Sequence, residues 1–483
     1  MSREYTLVSM VVKLMNEIGY ELAEEILNEV LGRSVQEAIV RIHEKVTEGV
    51  VFDNGKLKVC SFSRVSGIGI AVYMGGSIGY GYTTKFDRES ILKAVDEAVS
   101  FARNLYRESL EICELKSMIA RKDVYRVSCS VNPLDVDIEQ KVSLVEKMNK
   151  ESLNIEGIVS AITRYGFERD RRITVSSFGA KVDVEVVAVG ISHTVVARHN
   201  DTVERLSDQK TFIGGYEYIE KYDWYNFITE INNLAVKSVQ APAVKPGVYT
   251  VVIDSDLIGL LLHEAFGHAS EGDIVYADMS VLKDRIGKVV ANENVSIVDE
   301  GVVPGGYPIP YDDEGFAKEK TYIVKNGILI NYLHNISTAR KLGYTTTGNA
   351  RAQDVSYYPL VRQTNLYMLP GNADIEELFE GIKHGIYLKG RSAGGGQVNP
   401  SVGTFTFGVG PSYIIKNGEV SELVRNAIVS GNILDVLKDV EMVGKDLKIE
   451  TSIFGGCGKN GQLVHVGFGG PHIRVKKLVV GAR

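Results

Sequence analysis

The sequence predicts an α+β protein, a mixed N-terminal domain followed by a β-rich C-terminal domain. Three observations predict it. Amphipathic stretches of helical period interleave with alternating strands through the first half. The segment Ala241-Pro242-Ala243-Val244-Lys245-Pro246-Gly247 then has linker composition. Beyond it the chain is mostly short strands and turns. At 483 residues it exceeds what one hydrophobic core serves. The expected division is 1–240, a linker at 241–247, and 248–483.

In chain order, Ala23, Ile26, Leu27 and Val30, then Ala38, Ile39 and Ile42, recur at helical spacing and predict helix through about residue 50. Asn54-Gly55 is a hairpin signal. Ile68 to Tyr82 reads as a strand pair, Arg88 to Leu105 as a helix, Val124 to Ser130 as a strand, and Glu139 to Asn149 as a helix. From Ile158 to Leu206 the pattern alternates, as in Lys181-Val182-Asp183-Val184-Glu185-Val186, and predicts an antiparallel meander. A helix from Trp224 to Val239 closes this half. The second half opens on a strand, Tyr249 to Ile253, and Asp254 or Ser255 caps the helix that follows. Asn326-Gly327 and Asn417-Gly418 predict two further hairpins, with helices near Ile375 to Lys383 and Ile433 to Val440.

Composition narrows the function classes. A hydrophobic content of 44% and a charged content of 24% are those of an ordinary globular chain, and a net charge of -7 gives no electrostatic case for nucleic acid. The start, Met1-Ser2-Arg3-Glu4-Tyr5, has no signal-peptide pattern, and no run reaches the eighteen apolar residues of a membrane span. Four scattered cysteines suit a reducing compartment, and the expected location is cytoplasmic. Cys60, Cys113 and Cys129 are expected to be buried small hydrophobes. Cys457, within Gly455-Gly456-Cys457-Gly458, is expected on a mobile, unshielded backbone where a thiolate could reach a cation.

The chemistry-bearing run is His263-Glu264-Ala265-Phe266-Gly267-His268. The familiar zinc-peptidase pattern spaces its histidines four apart on one helix face, with the glutamate beside them as general base. Here the spacing is five, and on an ideal helix the two imidazoles diverge by about 140°. A shared metal therefore requires the helix to stop or unwind between them, and Gly267 is placed to allow it. The alternative is a helix end capped by two histidines and a glutamate. His43-Glu44 repeats the pair, but the fifth position is Glu48, so His43 reads as an exposed helix residue.

Taken with Tyr311-Asp312-Asp313-Glu314-Gly315, Thr347-Gly348-Asn349-Ala350-Arg351, Gly394-Gly395-Gly396-Gln397-Val398 and Cys457-Gly458-Lys459-Asn460-Gly461-Gln462, the run resembles the TldD/PmbA family of metallopeptidases. The resemblance is strong across the C-terminal half and looser before it. It implies that His263, His268 and Cys457 hold one zinc ion per chain and that Glu264 is the catalytic base. The second domain then carries a metal-site helix. Because every ligand is kept, the chain resembles the metal-bearing TldD branch and not the metal-free PmbA/TldE branch. The resemblance further implies a homodimer, or a heterodimer with a metal-free relative, cleaving unfolded polypeptide or peptides whose backbone pairs with an exposed strand. Gly394 to Val398 is the candidate groove.

Around that set, Glu271 or Asp273 could accept an imidazole N–H, or form a solvated turn. Asp312-Asp313-Glu314 lacks calcium-loop form and reads as a turn lining the site. Arg351 and Gln397 are candidate substrate contacts or oxyanion stabilisers, with a surface arginine as the default for the former. His465 and His472 are rival third ligands, ranked below Cys457. Gly455 to Asn460 lacks the residues of a phosphate loop, and Gly75 to Gly81 lies on a hairpin where no dinucleotide loop fits. The competing reading is a non-catalytic scaffold subunit in which a structural metal staples the tail to the motif helix.

Overall fold

The structure, a computed structural model, describes residues 19–35, 37–106 and 121–482. It is a multi-domain α+β fold. A helix over residues 19–31 (α1) leads into β1 (Glu37–Asp53) and β2 (Lys56–Met74), joined at Asn54-Gly55, then β3 (Ser77–Thr83) and α2 (Arg88–Leu105). β4 (Lys122–Arg126), α3 (Ile138–Leu153), β5 (Ile158–Ser176), β6 (Lys181–His199), β7 (Thr202–Ile213), α4 (Glu217–Lys221) and α5 (Trp224–Gln240) complete the first half. Its strands form one seven-stranded sheet in the order β3-β2-β1-β5-β6-β4, with β7 also on β6.

The helix expected through residue 50 is shorter than that. It ends at residue 31, and Ala38, Ile39 and Ile42 lie on β1, paired antiparallel to both β2 and β5. The cause is burial on both faces. Ala38, Val40 and Ile42 fill one core while Ile39 fills another, so the period of two is blurred into an apparent helical one. His43 is accordingly buried, not exposed, with Nε2 3.0 Å from Asp170 Oδ1. The meander is β5, β6 and β7 in antiparallel succession, and it runs on to Ile213.

In the second half, β8 (Gly247–Ile253) lies inside a nine-stranded sheet between the C-terminal strand Ile473–Ala482 and His384–Leu388. Asp254 accepts from Leu257 N at 2.9 Å and caps α6 (Ser255–Leu261). Leu257, Ile258, Leu261 and Leu262 are fully buried, each worth about 1.5–3 kcal/mol in area removed from water. α6 packs on Gly467–Gly470 of a six-stranded sheet, so closely that a Cβ on Gly259 would lie 2.7 Å from Gly469 Cα. Both later Asn-Gly hairpins are present. Near Ile375 only a single 3₁₀ turn, Glu376–Leu378, forms before Gly381 takes φ 72°. The last helix spans Ile433–Lys438, and Val440 begins a strand.

Cys60 is exposed on β2, where the strand extends beyond β3, and Cys129 is half-buried. Cys113 and Met1 to Tyr5 lie outside the described residues. Among the described residues, no helix is long and apolar enough to cross a membrane.

Candidate metal centre

The α-helix does not stop at Gly267. After Leu261 it widens into a π turn, Leu262–Gly267, and continues as a 3₁₀ turn, His268–Ser270. Gly267 itself is helical, at φ -60° and ψ -49°. In a π turn the hydrogen bonds run from i to i+5, so residues five apart stand over one another. The rings of His263 and His268 are 5.3 Å apart, centroid to centroid. The unwinding demanded by the spacing is thus met by a wider turn and not by a glycine stop.

Cys457 completes the cluster. It begins the strand Cys457–Lys459, which turns at Asn460-Gly461 and pairs with Gln462–Val464. Its side chain is buried among Val464, Val466 and Phe468, where the sequence suggested a mobile and unshielded thiol. Burial by itself would raise the thiol, but the imidazoles of His263 and His268 outweigh it and hold Cys457 well below the ordinary thiol range. One ligand atom from each of the three residues lies within 4.8 Å of the others.

Two features test the fit to zinc. Bonds of about 2.3 Å to sulfur and about 2.05 Å to nitrogen at tetrahedral angles place the two donors about 3.5 Å apart. Cys457 Sγ and His268 Nε2 are 3.4 Å apart. His263 Nδ1, moreover, is buried without a hydrogen-bonding partner among the described residues. Two imidazoles and a thiolate match in number and type the three protein ligands of a catalytic zinc site, which leaves a fourth position for water.

Surrounding groups orient the candidate ligands. Glu271, fully buried, takes His268 Nδ1 at 3.1 Å and so turns Nε2 toward Cys457. Asp273 instead pairs with Lys459, 2.7 Å away, which also reaches Glu271. Burial opposes ionisation of Glu271, but Lys459 and His268 prevail and bring its carboxyl down to about 2. Glu264 is half-buried beside His263, and its side chain has no ion pair or hydrogen bond among the described residues.

His465 is directed away from the cluster, with Nε2 3.0 Å from Glu168 on β5, and His472 pairs with Asp446 and Tyr387. Arg351 is buried, not a surface residue, and donates to the Gln363 carbonyl at 3.1 Å. Gln397 is exposed on the edge strand Gly395–Asn399, which passes beside the π turn. Asp312 to Glu314 form a turn that is buried against β1 and β5, with Asp313 bound to Arg172 at 2.6 Å. Sequence reasoning missed Arg362 and Gln363, both fully buried: Arg362 donates to the Cys457 carbonyl, and Gln363 Nε2 to the His263 carbonyl at 3.0 Å. Nothing in residue type or spacing marks them.

Three family models cover most of the chain: PmbA/TldA metallopeptidase domain 1 at residues 38–102, the central domain at 131–239, and the C-terminal domain at 246–482. A metalloprotease of Methanocaldococcus jannaschii is 34% identical over 90% of this chain and 95% of its own length. The chain belongs to the TldD/PmbA metallopeptidase family. A protein named zinc metalloprotease TldD homolog, from Saccharolobus solfataricus, is 31% identical over 83% of this chain and 90% of its own. The fold of this TldD/PmbA protein is also that of TldE from Thermococcus kodakarensis, with a TM-score of 0.75 at 16% identity, covering 95% of this chain and all of that one.

Proposed function

We propose that the chain is a zinc-dependent peptidase that hydrolyses unfolded polypeptides or peptides, with His263, His268 and Cys457 holding one zinc ion and Glu264 as general base. The observation that carries this reading is the convergence of those three side chains beside a glutamate whose side chain has no partner among the described residues. The name of the Saccharolobus relative supports the choice of metal.

Zinc bound there would supply Lewis acidity, lowering the pKa of a water and polarising a peptide carbonyl. Glu264 accepts the proton of the attacking water and later delivers it to the leaving amine. Glu271 holds His268 in the tautomer that offers Nε2 to the metal. The edge strand Gly395–Asn399 offers unpaired backbone groups beside the site, and a substrate added as a further strand is bound through its main chain with little dependence on sequence.

Cytoplasmic residence rests on the sparse cysteines. Assembly as a homodimer, or with a metal-free relative, rests on the family resemblance, and sedimentation of the chain alone distinguishes the two. The deciding experiment compares wild type with Glu264→Gln on an unfolded peptide, with metal analysis of both. Glu264→Gln is expected to keep its zinc and fold and to lose hydrolysis. Equal cleavage by both proteins overturns the role of Glu264, whereas zinc without cleavage in any pairing favours a scaffold subunit.

A further inference from the structure

We propose that the adjacent buried residues Arg362 and Gln363 are the positioning element of the metal centre, each side chain gripping the backbone of one ligand. The proposal rests on the metal-site reading above. His263 sits on a helix and Cys457 on a hairpin from the far end of the chain, so their separation is not set by local structure. One short segment spans it. Gln363 Nε2 donates to the carbonyl of His263 at 3.0 Å, and Arg362 Nη2 donates to the carbonyl of Cys457.

The segment is itself fixed. Arg362 N donates to Asn349 O at 2.9 Å and its carbonyl accepts from Asn349 Nδ2 at 2.8 Å. Arg351 holds the Gln363 carbonyl, and Thr364 N donates to the buried carboxylate of Asp299 at 2.9 Å. Side chains carried on so constrained a backbone act as a ruler between the two ligands.

Two further observations argue for a dedicated role. Arg362 is fully buried, yet its Nε and Nη1 have no partner and it forms no ion pair among the described residues. Burying a guanidinium with so few acceptors is unfavourable for stability, so the bond to Cys457 is its evident purpose. Gly267 is shaped to Gln363 as well. A Cβ at that position would lie 2.1 Å from Gln363 Oε1, so only glycine lets the amide reach the π turn. With Gln363 gone, the His263 carbonyl loses its side-chain donor and the turn is released toward ordinary α geometry, in which His268 swings away from His263.

The test measures zinc affinity by chelator competition and the visible spectrum of the cobalt-substituted protein for wild type, Gln363→Leu and Arg362→Met. Both variants are expected to bind zinc roughly 10–100-fold more weakly, with a cobalt spectrum altered from that of wild type. Gln363→Asn keeps the amide but shortens its reach, and serves if the bulkier change prevents folding; the same loss is expected. Gly267→Ala should weaken binding in wild type and add little in a Gln363→Ala background, because both changes break one contact. A wild type that takes up neither metal overturns the metal reading and this proposal with it. A wild type that loads normally, with Gln363→Leu, Gln363→Asn and Arg362→Met matching its affinity and spectrum, overturns the positioning role alone.

Discussion

Lys459 Nζ lies 2.8 Å from Glu271 Oε2, the same oxygen that receives His268 Nδ1 at 3.1 Å. Only Gly458 separates Lys459 from Cys457, so one carboxylate oxygen ties the cysteine hairpin to the second histidine. The pair is buried: Glu271 is 0% exposed and the Lys459 side chain 9%. Lys459→Met leaves the buried Glu271 carboxylate with His268 but without its lysine, and losing one partner of such a pair costs about 3–5 kcal/mol. The expected result is a lower denaturation midpoint together with weaker zinc binding. Unchanged metal affinity in a destabilised protein would confine Lys459 to a structural role.

The turn beside β1 carries a different kind of charge. Asp312 is pushed up to about 7, chiefly by burial, against the backbone N–H groups of Phe316 and Ala350 that favour its ionised form. Glu314 is pushed up to about 8 by burial and then by Asp312, although Tyr73 O–H and Ile336 N–H both donate to it. Raised carboxyls bind more protons folded than unfolded, so stability falls as pH rises from about 4, where the unfolded groups ionise, toward 8. Glu314→Gln removes one titrating group from this pair. The slope of unfolding free energy against pH should become shallower by up to about 1.4 kcal/mol per pH unit within that window. An unchanged slope in denaturant titrations at pH 5, 6, 7 and 8 would refute the assignment.

How far the sequence disclosed this structure depended on whether one local pattern carried the information. Asn54-Gly55, Asn326-Gly327 and Asn417-Gly418 announced their hairpins because the turn itself demands positive φ at both residues, and these positions have it. α2 was legible from its single buried face, whereas β1 was not, since both its faces are covered and the alternation disappears. At the site, His263, Glu264 and His268 were visible as a motif, and the resemblance supplied Cys457. The conformation of the motif was only half legible. A five-residue spacing shows that an α-helix must yield, but not that it yields as a π turn, and the contact that the turn makes with Gln363 is invisible because that residue is distant in sequence and ordinary in type. Arg351 defaulted to the surface because a lone arginine carries no pattern of its pairing.

Helix placement yields a third prediction. Gly259 lies on the face of α6 that meets Gly469, and a Cβ there would be 2.7 Å from backbone on the neighbouring strand. Backbone cannot turn aside as a side chain can. Gly259→Ala should therefore destabilise the protein by about 1–3 kcal/mol despite alanine's better helix propensity, which alone would favour it by about 1 kcal/mol. Gly408→Ala is the control, since the nearest atom to its added carbon would be 4.0 Å away. Equal denaturation midpoints for the two variants would contradict the close approach of helix and strand.

The histidine after the cysteine hairpin separates ligand from scaffold. His465 Nδ1 faces the carbonyls of Ser452 and Gly455 at 3.0 and 3.1 Å, and its Nε2 meets Glu168 across the boundary between the two halves. Both ring nitrogens are thus engaged by oxygen, leaving neither for a metal. Glu168 is in turn held down at about 2: burial opposes its charge, while His465 and then Lys45 overcome that. His465→Ala should keep its zinc and lose stability, because the Glu168 carboxylate is left with Lys45 as its remaining cation. Cys457→Ser should show the opposite pattern, with metal content falling and the rest of the fold little changed. Metal analysis and denaturant melts on the two variants distinguish these outcomes, and zinc lost from His465→Ala but kept by Cys457→Ser would exchange the two roles.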